Sequence, residues 1–174
     1  MDLDTERLKI RDVAWSDEKP FIEMASDGSL NDVGFDKKCS SWMKDWIIEA
    51  QNLAKKDDPR TDYLAYVIED KSTGFSIGAV GCSFYRDLEK VGITYFVGAE
   101  FRGNGYASEA VRAYISYFFE HYDEDEIIAT IREENVPSWK VIEKAGFVLT
   151  EKRMYQDIDD TKEERYRFYS AKRE

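Results

Sequence analysis

Between Val91 and Tyr122 the chain reads VGITYFVGAEFRGNGYASEAVRAYISYFFEHY. These residues predict an apolar, β-branched strand, a turn carrying Gly98, Gly103 and Gly105, and an amphipathic helix that begins at the last of them. A helix start presents backbone N–H groups without intrahelical partners at the positive end of the dipole, where an anion can sit. Gly103 and Gly105 permit positive φ and let the main chain approach a bulky ligand closely. The residue types therefore point to a phosphorylated ligand. Gly98 to Gly103 has the spacing of a nucleotide-triphosphate loop, but Asn104 and Gly105 stand where a lysine and a hydroxyl residue are needed. Gly103-x-Gly105-x-x-Ser108 imitates a dinucleotide fingerprint without its third glycine, and the chain does not alternate strands and helices throughout.

Arg102-x-x-Gly105-x-Ala107 resembles the R/Q-x-x-G-x-G/A turn of the GNAT N-acetyltransferase superfamily, which holds the pyrophosphate of acetyl-coenzyme A (acetyl-CoA). Thr5-Glu6-Arg7-Leu8-Lys9-Ile10-Arg11 resembles the "ERLxLR" opening strand of its ribosomal-protein-alanine acetyltransferase (RimJ/RimL-like) branch. The segment from Glu134 to Phe147, ENVPSWKVIEKAGF, resembles that superfamily's N-x-x-S-x-x-V-x-E-K-x-G-F stretch. With the three motifs in the required order, the resemblance runs from Thr5 to about Tyr169.

It implies an α+β fold in which Val91–Val97 and Ile127–Ile131 lie parallel but splay apart, so that the pantetheine arm fits the gap. Backbone groups near Phe96 and Val97 are then expected to pair with the arm like an added strand. The N–H groups of Arg102, Gly103, Asn104, Gly105, Tyr106, Ala107 and Ser108 are expected to hold the pyrophosphate. Asn135 belongs to the pantetheine arm and Ser138 to the neighbourhood of the thioester. Lys140 or Arg112 reaches the 3′-phosphate, or is simply a solvated cation. No metal is implied.

The implied reaction is direct transfer of acetyl to an amine in a ternary complex. Deprotonating a lysine-like ammonium at pH 7 costs roughly 4–5 kcal/mol, whereas a protein α-amino group costs about 1 kcal/mol. A base is therefore wanted for the first acceptor and nearly optional for the second. Asp157, after the strand that follows Gly146-Phe147, stands where the same branch carries a carboxylate facing the acceptor; the alternative is that it only opens the acidic turn Asp157–Asp160. Glu100 and Glu133 are further acids. Many relatives place a tyrosine seven residues after the asparagine as proton donor, and here that residue is Ile142. Ser138 takes that role or merely caps a helix. His121, the sole histidine, reads as a helix-end charge. The acceptor is a protein N-terminus or a small amine such as a polyamine, amino-acid derivative or aminoglycoside. A non-catalytic acyl-CoA-binding sensor is the alternative, and a homodimer is expected, with Tyr166–Tyr169 either lining that contact or serving as strand core.

The elements that position these residues follow from periodicity. Strands are predicted at Arg7–Val13, Tyr63–Glu69, Phe75–Tyr85, Val91–Val97, Ile127–Ile131, Phe147–Asp157 and Arg165–Ala171. Helices are predicted from Ser16 or Asp17 to Ala25, over Ser40–Lys56, after Gly105, and over Ser138–Ala145, with a loop at Asp27–Ser40. The sum is a mixed, mostly antiparallel sheet of about seven strands with helices on both faces. A single domain spanning residues 1–174 is expected from the length. The net charge of −11 argues against a nucleic-acid partner, and either favours cationic substrates or only maintains solubility. Cys39 and Cys82 have neither metal-site spacing nor histidine companions, and no apolar run suits a membrane or signal segment. A cytoplasmic location is the expectation.

Overall fold

In the computed structural model, which describes Met1–Glu174, alternation along one strand separates the molecule into two layers. β5 (Lys90–Val97) pairs with β4 (Ser76–Tyr85), which pairs in turn with β3 (Tyr63–Asp70). Val91, Ile93 and Val97 fall on one face, and Phe96 falls on the other, as a period of two requires. The first face also presents Leu64, Tyr66, Ile68, Val80 and Cys82, and packs against α3 (Tyr106–His121) through Ala110, Val111, Tyr114 and Phe118. The second face presents Val67, Ala79 and Phe96 to α1 (Glu18–Ala25) and α2 (Met43–Lys56), where Phe21, Met24, Met43 and Ile47 are buried. Trp42 and Trp46 pack at the edge of this second core, around Phe35.

The sheet has eight strands in the order β1-β2-β3-β4-β5-β6-β8-β7, adding β1 (Asp2–Asp4), β2 (Leu8–Asp12), β6 (Glu126–Arg132), β7 (Val148–Tyr155) and β8 (Glu164–Lys172). All neighbours are antiparallel except β5 and β6, which α3 connects. The strand beyond the predicted seven is β1, which pairs Leu3 with Ile10. Its three residues, two of them aspartates, are too short and polar for alternation to register.

Three local predictions change. The Asp27–Ser40 loop contains two 3-10 turns, Asn31–Val33 and Cys39–Ser41, and buries Leu30, Phe35 and Cys39 under α2. At α1 neither Ser16 nor Asp17 supplies a side-chain cap; the Asp17 carboxylate instead accepts from the Ala14 N–H and from Arg11. The fourth helix, α4 (Val136–Lys144), starts before Ser138 with Asn135 at its N-cap and a proline in its first turn, so Ser138 is not a cap. No helix is long and apolar enough to cross a membrane.

Candidate active site

The turn after β5 forms around two left-handed residues, Gly103 (φ 80°) and Gly105 (φ 79°), the latter serving as N-cap of α3. The backbone N–H groups of Gly103, Asn104, Gly105, Tyr106, Ala107 and Ser108 have no acceptor within the chain, because the first helical bond is Glu109 N–H to Gly105 O. The N–H of Arg102, expected to join them, is turned to the Ala99 carbonyl at 3.4 Å. Its guanidinium is used as a strut, donating to the Val97 carbonyl at 3.0 Å and the Ser29 carbonyl at 3.3 Å. Six converging donors at a helix start are suited to a phosphate or pyrophosphate.

The turn is braced from a distant part of the sequence. Glu109 accepts from Thr5 Oγ1 at 2.6 Å, the Arg7 backbone N–H at 2.9 Å and Arg7 Nε at 2.7 Å. Arg7 Nη1 also donates to the Asn104 carbonyl at 2.8 Å, and the guanidinium lies 4.6 Å from the centre of the Tyr106 ring. Burial pushes the Glu109 pKa upward, but these hydrogen bonds outweigh it and hold the carboxyl below its ordinary range. A side chain at residue 105 would meet Arg7 Nη2 at 3.4 Å in an already strained conformation.

Beneath the turn, β5 and β6 join at one register pair only, Gly92 with Ile128, and then diverge. The Gly98 N–H bonds to Ile77 O, so by antiparallel alternation the main-chain groups of Phe96 and Thr94 face β4 while those of Tyr95 and Val97 face the gap. Phe96 thus does not offer its backbone to a ligand there. Its ring packs 5.7 Å from Phe21 and 5.2 Å from Phe35. Of the Val97 groups, the carbonyl is already held by Arg102.

Polar groups flank the gap on both faces. On the α4 side the half-buried Ser138 Oγ lies 2.8 Å from the Tyr95 hydroxyl, which also donates to the Ser138 carbonyl at 2.9 Å. Burial pushes the Tyr95 pKa up to about 12. Ile142 is fully buried. Asn135 is exposed, and its amide makes no capping bond.

On the opposite face, the Tyr85 ring crosses Gly92, where a Cβ would stand 2.4 Å from it, and its hydroxyl comes within 3.5 Å of Thr130 Oγ1 on β6. Asp157 is half-buried beside it; burial first and then the Asp157 charge push the Tyr85 pKa up to about 12. Asp157 Oδ1 accepts from the Ile158 N–H at 2.7 Å, and its backbone opens the turn to Asp160. Burial and the charges of Asp160, Asp159 and Asp87 raise the Asp157 pKa, outweighing that bond.

The other candidates are placed elsewhere. Glu133 is tied to Lys152 at 3.0 Å and Arg165 at 2.7 Å. Glu100, Arg112 and Lys140 are exposed. His121 pairs with Asp57 at 2.6 Å beside a separate cavity of about 600 Å³ that also includes Gln51, Lys55 and Tyr117. No group of three or more His, Cys, Asp or Glu side chains is arranged to hold a metal ion. Tyr166, Phe168 and Tyr169 are buried within the chain, which gives that segment to the strand core and not to a contact between copies. The residues that sequence reading missed are Thr5, Arg7, Glu109, Tyr85 and Tyr95. Only Thr5 and Arg7 carried a signal, as part of the opening motif.

Residues 7–148 match the family model for the acetyltransferase (GNAT) domain. The chain is 24% identical over 150 residues to the uncharacterized N-acetyltransferase YnaD of Bacillus subtilis (strain 168), covering 84% of this chain and 82% of that protein. In structure it is similar to a GNAT-family acetyltransferase from Bacillus anthracis, with a TM-score of 0.80 and 19% identity, over 99% of this chain and 98% of that one. It is likewise similar to RimJ of Mycobacterium smegmatis in complex with CoA-disulfide, with a TM-score of 0.78 and 20% identity, over 95% of this chain and 81% of that one. The family match takes in the opening motif from Arg7 onward, the splayed strands, the glycine turn and α4, and on that ground the chain belongs to the GNAT acetyltransferase family.

Proposed function

We propose that the protein transfers acetyl from acetyl-CoA to a primary amine, a protein N-terminus or a small amine, by direct transfer in a ternary complex. The observation that carries this reading is the run of unpartnered N–H groups from Gly103 to Ser108 above the opening between β5 and β6. That arrangement fits a pyrophosphate at the helix start and an extended arm between the strands. The CoA-disulfide bound to the RimJ neighbour agrees with the same donor. Acetyl-CoA supplies the activated acyl group; this chain's residues orient it and manage protons.

In this reading Tyr95 N–H and C=O and the Val97 N–H pair with the arm, and Asn135, at the N-cap of α4, hydrogen-bonds it from the opposite side. Asp157 lies beside Tyr85 and Ser138 against Tyr95, on opposite faces of the sheet, and in this reading both serve the opening between β5 and β6. The amine therefore approaches from the Tyr85 face, where Asp157 accepts its proton, while the Ser138 hydroxyl hydrogen-bonds the departing sulfur on the other face. A thiol pKa near 8.5 makes that departure feasible with hydrogen bonding alone. The raised Asp157 pKa brings the carboxylate closer to that of its amine partner than an exposed aspartate would be.

A homodimer and a cytoplasmic location belong to the same reading. A second copy would have to use surface other than Tyr166–Tyr169, such as the exposed Val148, Leu149 and Met154 on the edge strand β7, and light scattering tests it. The two cysteines are free and buried, which suits a reducing compartment. The deciding experiment is a panel of acceptors, N-terminal peptides beside polyamines, amino-acid derivatives and aminoglycosides, scored by thiol release from acetyl-CoA. Acceptor-dependent release is expected. Acetyl-CoA binding with no release across the panel would favour an acyl-CoA sensor instead.

A further inference from the structure

Tyr95 comes from β5, yet its hydroxyl has two acceptors on the first turn of α4: the Ser138 carbonyl at 2.9 Å and Ser138 Oγ at 2.8 Å. A phenol carries one proton, so it serves one of them at a time. While Tyr95 donates to the carbonyl, the only partner within reach of the Ser138 proton is the Tyr95 oxygen. When Tyr95 swings to Oγ, the Ser138 proton is free to point into the gap.

We propose that Tyr95 is a positioning residue for acetyl transfer: by moving its hydrogen bond from the Ser138 carbonyl to Ser138 Oγ, it releases the Ser138 hydroxyl proton toward the leaving sulfur. The inference rests on the acetyltransferase reading above and deepens it. No proton changes owner in the switch. The amine nitrogen forms its bond to the acyl carbon, the carbon–sulfur bond breaks with its electron pair going to sulfur, and the amine proton leaves through Asp157. Coenzyme A departs as a thiolate accepting a hydrogen bond from Ser138, which in turn accepts from Tyr95. Two hydroxyls in series polarise one another, so the inner one is a stronger donor than a lone serine.

Two features of the fold make the switch available. Ile142, one turn beyond Ser138 on α4, is buried in the main core, so a second hydroxyl to support that of Ser138 comes from another element. β5 supplies it because Tyr95 lies on the strand face covered by α4 and just past the last β5–β6 pair. Burial keeps the Tyr95 phenol un-ionised across the working pH range, so it remains a donor.

The test is Tyr95→Phe, with Ser138→Ala and the double variant, assayed on an acceptor that the wild type acetylates. Tyr95→Phe is expected to lower kcat about 10- to 100-fold, with KM for acetyl-CoA within about two-fold and the acetyl-CoA thermal shift retained. Ser138→Ala is expected to slow transfer at least as much. The double variant is expected to be no slower than Ser138→Ala alone, because Tyr95 acts only through Ser138. A wild-type kcat in Tyr95→Phe overturns the proposal, as does a loss that multiplies with that of Ser138→Ala. A Tyr95→Phe protein that has lost the thermal shift would show a role in folding or cofactor binding and would overturn it too. Absence of transfer by the wild type itself would instead bring down the acetyltransferase reading on which this rests.

Discussion

Asp157 combines two opposing demands on one carboxylate. Burial and three neighbouring aspartates raise its pKa in the folded chain above the ordinary value of 3.8. Below both pKa values the group is protonated whether folded or unfolded and contributes nothing. As pH rises through the unfolded pKa and past the raised folded one, ionisation favours the unfolded chain. Asp157→Asn is therefore expected to hold or raise Tm at pH 7 while lowering acceptor kcat/KM by about 100-fold or more. The rate is expected to recover partly at higher pH, where the amine loses its proton unaided, and paired melting curves and pH–rate profiles measure both. A lower Tm with an unchanged rate would assign Asp157 to its turn alone. The contrast with Glu133 is instructive: its ion pairs with Lys152 and Arg165 depress its pKa, which suits structure more than proton transfer.

At the scale of elements, the phosphate turn depends on positive φ and on a brace. Gly105→Val places a β-branched residue at φ 79°, a conformation costing about 1–3 kcal/mol, with its Cβ against Arg7. The expected result is loss of the acetyl-CoA thermal shift, since displaced N–H groups no longer converge; an unchanged shift would place the ligand elsewhere. Arg7 is expected to matter for a different reason. It joins the start of β2 to both Glu109 and the Asn104 carbonyl, so Arg7→Ala leaves the turn's φ values allowed but its position loose. An affinity loss for acetyl-CoA of about ten-fold, equal to about 1.4 kcal/mol, is expected by calorimetry, with kcat at saturation little changed.

Across the whole molecule, the layer containing α1 and α2 is fastened to the sheet by a buried charge. Asp17 is fully buried and accepts from Arg11 Nη1 and Nη2, each at 2.9 Å, from Ser76 Oγ at 2.6 Å and from the Ala14 N–H at 2.8 Å. Burial alone would raise its pKa, but these bonds together lower it below 3.8. A depressed carboxyl stabilises the fold above the unfolded pKa and loses that contribution as pH falls through the folded value. Asp17→Asn is expected to cost about 3 kcal/mol at pH 7, because Arg11 loses its buried carboxylate and keeps only Glu69, and the gap from wild type is expected to narrow as pH falls below 3.8 toward the lowered folded value. Urea melts across that pH range measure it, and a constant gap would refute the linkage. The sequence by itself determined seven of the eight strands and the four helices of this protein to within a few residues, and with them the glycine turn, because alternation, helical periodicity and the φ demands of Gly103 and Gly105 are local. Motif order singled out Asn135 and Ser138 as candidates, and the end of the strand after Gly146-Phe147 singled out Asp157. Tertiary structure decided that Phe96 turns into the second core, that Arg102 braces the turn with its side chain, and that Tyr95 meets Ser138 across 43 positions. It likewise decided that Thr5 meets Glu109 across 104 positions. Such contacts depend on strand pairing and on which face each residue takes, and a single chain carries no short-range signal of either.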